Sequence, residues 1–190
     1  VTSMGGMFWK AEAFNGDISE WDVSSVTTMA SMFREATVFN GDISKWDVSS
    51  VNKMASMFSG ATAFNGDISD WDVSSVTRMS SVFFGAAAYN GVISEWDVSS
   101  VTSMNGMFRD ALTFNGDISK WNVSKVIDLS FMFSEATAFE QTLCWDLMSE
   151  SERESMFDGS SGSLDPKCGK CIATTVEILG RLHRLRLHFT

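Results

Sequence analysis

The sequence predicts a repeat solenoid, a right-handed coil with one short parallel strand and one short helix in every 25-residue unit. The pattern FNGDISxWDVSSV begins at Phe14, Phe39, Phe64, Tyr89 and Phe114, always 25 residues apart. Trp21, Trp46, Trp71, Trp96 and Trp121 keep the same register, as do the phenylalanines from Phe8 through Phe33 to Phe133. Within each unit the apolar spacing changes from one that suits a strand to one that suits a helix. A lone unit of this size cannot bury its apolar face, whereas a unit stacked on its copies can.

The elements of one unit follow from that spacing. Ile18, Trp21 and Val23 have the LxxLxL spacing of a leucine-rich-repeat strand. Alternation then turns Trp21 and Val23 inward and leaves Glu20, Asp22 and Ser24 outside. Val26, Met29, Phe33 and Ala36 lie at i, i+3, i+7 and i+10, one face of a short helix for which Ser25 is a suitable N-cap. Asn15-Gly16 supplies the turn, with Gly free to take a positive φ. Strands of adjacent coils would pair in parallel, ~4.8 Å apart, with right-handed crossovers. Methionines recur in two columns (Met4, Met29, Met54 and Met7, Met32, Met57 onward); core filling explains them better than a soft-metal site.

The tandem units occupy residues 1–143. A decayed copy follows, in which Phe139 and Leu143 keep register, Trp145 comes one residue early, and Met156 and Phe157 close the pattern. Residues 144–171 read as a cysteine-containing C-terminal cap, and 172–190 as a basic tail. The chain starts at Val1, inside a unit and without an initiator Met, so the first coil is expected to continue upstream or to meet another chain end to end. A net charge of -10 argues against nucleic acid, whose phosphates are held by clustered Lys and Arg. No apolar run approaches the roughly 18 residues of a membrane span.

The unit FNGDISxWDVSSVTxMxxMFxxA resembles the 25-residue repeat of BspA-like leucine-rich-repeat surface proteins, a mycoplasma-lipoprotein-type repeat, over about residues 1–157. Its version here looks like those of microalgae and other protists. Trp21-Asp22-Val23-Ser24 and Met32-Phe33, with their copies, carry the resemblance. Departures are modest: Val92 replaces the Asp of Asp17, and Asn122 the Asp of the Trp-Asp pair. The resemblance implies an extracellular or cell-surface protein that takes part in adhesion and protein contacts, without catalytic residues.

The residues agree that catalysis is unsupported. His183 and His188 lie outside the repeats, and the Ser column from Ser24 to Ser124 has no base beside it. No phosphate loop, metalloprotease or dinucleotide fingerprint is present, and no cofactor is expected. The expected function is recognition or adhesion, binding protein or glycan partners through the solenoid faces; the alternative is a structural subunit or stalk of an extracellular appendage or cell wall. Candidate binding residues on the strand face are the mixed column Glu20, Lys45, Asp70, Glu95 and Lys120, beside the Asp column Asp22, Asp47, Asp72 and Asp97. On the helix side Lys10, Arg34, Glu35, Phe84, Arg109 and Asp110 vary while the core does not. Carboxylates ~4.8 Å apart repel by roughly 1 kcal/mol even in water. Neighbouring lysines, Ser hydroxyls, corner N–H groups or bound calcium must offset this, and hydrogen bonding from the corner is favoured over calcium. Cys144 is expected to bond Cys168 or Cys171 and fasten the cap, and Asn122-Val123-Ser124 is a glycosylation sequon.

Overall fold

The computed structural model describes residues 1–145, 147 and 153–168. Successive 25-residue units lie on one another in register, joined by parallel single-residue bridges from Ser3 to Thr28, Thr28 to Lys53, Lys53 to Arg78 and Arg78 to Ser103. Beyond each bridge the backbone alternates. The N–H groups of Met29, Ser31, Phe33 and Glu35 donate to the carbonyls of Lys53, Ala55, Met57 and Ser59 in the next unit, at 2.7–3.0 Å. Those of Met32, Arg34 and Ala36 donate back to Met29, Ser31 and Phe33 of their own unit, at 3.0–3.2 Å. The arc 28–36 is therefore a run of overlapping tight turns whose spare donors reach the neighbouring unit, and the buried backbone is satisfied without a regular helix or strand.

This corrects two expectations. No helix forms over 26–36, and Ser25 caps none. Ser31 and Glu35 have φ of 57° and 60°, which a right-handed helix cannot contain. The helical spacing misled because tight turns also bring Met29, Phe33 and Ala36 to the inner side, where each is fully buried. No strand forms over Ile18–Val23 either. That stretch makes separate turns, Trp21 N–H to Ile18 C=O at 3.1 Å and Val26 N–H to Val23 C=O at 2.8 Å, while the bridges fall at Thr28 and its copies. Ile18 and Val23 are buried as expected, and so are Trp46 and Trp71, but Trp21, expected inward, is 39% exposed in the first unit.

The glycine of the Asn-Gly pair also has a different reason from the one expected. Its φ is not positive; a Cβ on Gly41 would instead stand 3.0 Å from the Phe39 ring and 3.6 Å from the Gly16 carbonyl of the unit before. The asparagine beside it builds a ladder, with Asn15 Oδ1 accepting from Asn40 N–H at 2.9 Å and Asn40 Oδ1 from Asn65 N–H at 2.8 Å.

Three aromatic columns, two of phenylalanine and one of tryptophan, fill the interior. Phe33 stacks on Phe39 of its own unit at 3.9 Å between ring centres and on Phe58 of the next at 5.6 Å. Trp46, Trp71, Trp96 and Trp121 each donate the indole N–H to the carbonyl of Ile18, Ile43, Ile68 or Ile93 in the preceding unit, at 3.0–3.1 Å. A buried tryptophan is thus both a large apolar body and a polar tie between units. Trp145, one residue early, is buried with no partner for its indole N–H among the described residues.

Residues 153–168 lie on the outer side of the last unit and prolong both the ladder and the aromatic column. The N–H groups of Phe131, Phe133 and Glu135 donate to Glu154, Met156 and Asp158, and Phe157 stacks on Phe133 at 5.5 Å. Strand β1 (Thr142–Leu143) pairs in parallel with β2 (Ser163–Leu164). Cys144 is bonded to Cys168, with Cα atoms 5.3 Å apart. Of the two pairings expected, this is the one formed; Cys171 and the tail 172–190 lie outside the described residues.

Two expected outcomes follow from the packing. Tyr89 takes a phenylalanine's place in its column, and its buried hydroxyl has no partner among the described residues. Burial pushes the phenol pKa far up. Tyr89→Phe should therefore raise stability by about 1–3 kcal/mol, read as a shift of the urea midpoint at unchanged slope. A lower midpoint would mean that the hydroxyl has a partner. The disulfide closes a loop of 24 residues, for which chain entropy gives about 3 kcal/mol. Replacing Cys144 and Cys168 together by Ser should lower amide-exchange protection at Phe133 and Leu143 while leaving Phe58 unchanged, because contacts run only between neighbours.

Candidate functional site

Two outward surfaces carry the polar and charged side chains: the corners that hold the Asp columns, and the turn arc 28–36 with its copies.

At the corners the first three units contain the pattern Asp-x-Ser twice, as Asp17-Ile18-Ser19 and Asp22-Val23-Ser24, while Val92 and Asn122 each break it once in the next two. In both, one aspartate oxygen accepts from the serine two residues on. Asp22 Oδ1 takes the Ser24 N–H at 3.1 Å and its hydroxyl at 2.6 Å; Asp47 does the same with Ser49. Asp72 and Asp97 accept the N–H of Ser74 and Ser99 at 3.0 Å. Asp17 and Ser19 repeat the arrangement at 3.0 and 2.8 Å, as do Asp42 with Ser44 and Asp67 with Ser69. These are side-chain turns that replace a backbone turn. The Asp17 column was not among the sequence candidates, although the doubled Asp-x-Ser spacing marks it.

The hydrogen bonds hold the carboxyls of Asp17, Asp22, Asp42, Asp47, Asp67, Asp97 and Asp117 below the ordinary range. For Asp22, Asp47 and Asp97 the serine hydroxyl contributes most and the N–H next; for Asp17, Asp42, Asp67 and Asp117 the order is reversed. The charges in each column are thus offset locally by Ser donors. Asn122 makes the same turn with its amide oxygen, 3.2 Å from the Ser124 N–H, and is exposed. Among the described residues no three His, Cys, Asp or Glu side chains are grouped to hold a metal, and each Asp of the two corner columns has an oxygen already committed to serine.

The mixed column forms ion pairs within itself. Lys45 reaches Glu20 at 3.6 Å and Lys120 reaches Glu95 at 2.9 Å, all exposed. The Lys120 hydrogen bond, then its charge, lowers the Glu95 pKa. Exposed pairs of this kind contribute little to stability, because solvent screens them. Asp70 joins neither pair.

The arc is the more varied surface. One column reads Trp9, Arg34, Ser59, Phe84, Arg109, Ser134, directly beside the uniform phenylalanine column from Phe8, which is partly buried, to Phe133, buried from Phe33 on. Arg34 lies over the Trp9 ring at 5.5 Å, and Arg109 packs against both Phe84 at 5.7 Å and Phe131 at 5.4 Å. Such contacts hold the guanidinium plane in a fixed pose. Lys10 and Arg34 pair with Glu35, and Arg109 with Asp110. The structure brings together the variants named from sequence and adds Trp9 and Phe131, which share columns with Arg34 and Ser31. Lys53 and Arg78 were also missed; they occupy the bridge column and are exposed.

A family model described as "Mycoplasma protein of unknown function, DUF285" matches residues 1–77 and again 66–166. No curated protein and no solved structure matches the chain.

The depressed aspartate pKa values predict an acid-sensitive stack. A carboxyl whose folded pKa is lowered stabilises the fold fully above its unfolded value, about 3.9, and loses that contribution as pH falls through the folded value. The melting temperature should therefore hold from pH 7 to 5 and drop below about pH 4. A variant with Asn at Asp17, Asp22, Asp42 and Asp47 should show a shallower drop. An equally steep drop in that variant would place the acid sensitivity outside these corners.

Proposed function

We propose that this chain, which belongs to the DUF285 family, is a non-catalytic recognition module that works at a cell surface or outside the cell and binds protein or glycan partners. Its units would form a repeat solenoid, right-handed as parallel crossovers are, and of the BspA-like surface type that the repeat resembles. The observation that carries the reading is the contrast between adjacent columns. The inward residues Phe33, Phe58, Phe83, Phe108 and Phe133 are one residue type, while their neighbours change class from unit to unit: Trp9 is exposed, Arg34, Phe84 and Arg109 are half-buried, and the small Ser59 and Ser134 are buried. A purely structural repeat has no need to vary there; a binding surface does. Arg and aromatic residues held against one another are also the side chains that anchor interfaces.

The remaining groups fit the same reading. The corner Ser and Asp side chains are engaged with each other rather than set as nucleophile and base. A disulfide such as Cys144–Cys168 persists in oxidising compartments.

The test is to probe arrays of extracellular proteins and glycans with the whole chain. A variant with Ser at Arg34, Phe84 and Arg109, a residue that Ser59 and Ser134 already place in that column, serves as the control. Saturable binding to a few components, weakened at least tenfold in the variant (about 1.4 kcal/mol), is expected. Binding unaffected by the variant would remove the arc from the site. Concentration-dependent assembly of the chain with no array binding would favour the structural role instead.

A further inference from the structure

We infer that the arc carries a binding site for linear polyanionic glycans, those with sulfate or uronic-acid groups, centred on Lys53 and Arg78; this rests on the recognition reading above. Lys53 and Arg78 are direct bridge partners in adjacent units, so their Cα atoms are one strand spacing apart, ~4.8 Å. Both are exposed. Like charges directly opposite one another destabilise a strand pair, and elsewhere on the arc cations are matched: Lys10 and Arg34 with Glu35, Arg109 with Asp110. Lys53 and Arg78 have no such carboxylate among the described residues, in a chain whose net charge is -10.

The charges are not needed to close the stack. The same register holds Thr28 on one side and Ser103 on the other, and both make the same bridge. Next to Arg78 the column holds Ser103, whose Oγ lies 2.7 Å from the Oγ of Ser80, two residues beyond Arg78, and one unit further it ends on Asp128. Two adjacent cations followed by hydroxyl groups, rising one unit at a time, suit a ligand with an anionic group and hydroxyls on successive rings. An extended acidic peptide fits the step less well, since its like-facing side chains recur every second residue, ~6.7 Å apart. The acidic corners of a second copy fit less well again, because one oxygen of each aspartate is already held by serine.

The experiment measures binding of the whole chain to dextran sulfate and to polygalacturonate, with neutral dextran and polyglutamate as controls, at rising salt. The wild type should bind the two charged glycans at least tenfold more tightly than either control, and the binding should weaken with salt. Lys53→Thr with Arg78→Ser should lose at least tenfold of that affinity at an unchanged melting temperature, since Thr28 and Ser103 show the register accepts both residues. Equal binding by the double variant overturns the assignment, as does failure of the wild type to bind at low salt. Equal affinity for polyglutamate replaces the glycan with an acidic protein. If the charged glycans fail while a target on the array still depends on Arg34, Phe84 and Arg109, this inference falls alone; if both fail, the recognition reading falls with it.

Discussion

The alternating backbone N–H groups of Met29, Ser31, Phe33 and Glu35 decide most of what this molecule can be. Each donates out of its own unit into the next, and each intervening residue donates back into its own turn. That division works only if the chain folds on itself sharply every few residues. Hence the left-handed φ at Ser31 and Glu35 and at their copies Ser56, Ser81, Asp110 and Glu135. A side chain in that conformation costs roughly 1–2 kcal/mol, and Gly6, Gly106, Gly60 and Gly85 avoid the cost in the same two columns. The strain is sustained because each turn gives its donors to a neighbour that has the same need. Equivalent residues are thereby set one above another, and the aromatic columns, Trp ties and Asn ladder all inherit that register.

Side-chain polar groups complete what the backbone leaves open. Thr27 and Thr62 donate their hydroxyls to the carbonyls of Thr2 and Thr37 one unit back. Asn oxygens accept the next unit's N–H at one corner, and Asp-Ser turns close two more. Each satisfies a local backbone need at a place where water would otherwise have to. Trp145 shows the dependence by failing: shifted one residue, it keeps its burial but not its indole partner. From that point the disulfide and the pairing of β1 with β2 tie the chain down where the copied contacts run out.

Much of this was legible in the sequence, and what was not has a definite cause. The period, the inward set from Ile18 to Ala36 apart from the exposed Trp21, and the engagement of Cys144 could be read from residue spacing. The Asp column was read as held by its own corner, and Asp22 and Asp47 are held by Ser24 and Ser49. The helix was misread because Val26, Met29, Phe33 and Ala36 satisfy helical spacing and turn spacing equally; which one forms depends on hydrogen bonds to another unit, and a single unit does not encode those. A counter-signal did exist. Glycine recurs at Gly6 and Gly106 and at Gly60 and Gly85, inside what would be a helix interior, where it is unfavourable by about 1 kcal/mol against Ala. The bridge position was misread for a related reason, since Thr28, Lys53 and Arg78 form no apolar pattern and pair only through their backbones.

Because the stacking bonds come from the backbone and the inward columns, the outward arc side chains have little to do with whether a unit closes. Trp9, Ser59 and Phe84 share one column, and Thr28, Lys53 and Asp128 another, without a change in the surrounding turns. The corners are less free: a substitution there must still supply an acceptor, as Asn122 does, or give up the side-chain turn, as Val92 does at 67% exposure. One unit therefore combines a constrained edge and a permissive one. Apart from the exposed column Glu20, Lys45, Asp70, Glu95 and Lys120 beside the corners, properties that differ along the stack, such as aromatic surface, are written on the permissive edge. That is why Lys53 and Arg78, which the fold does not require, carry more information about function than the far more numerous aspartates, which it does.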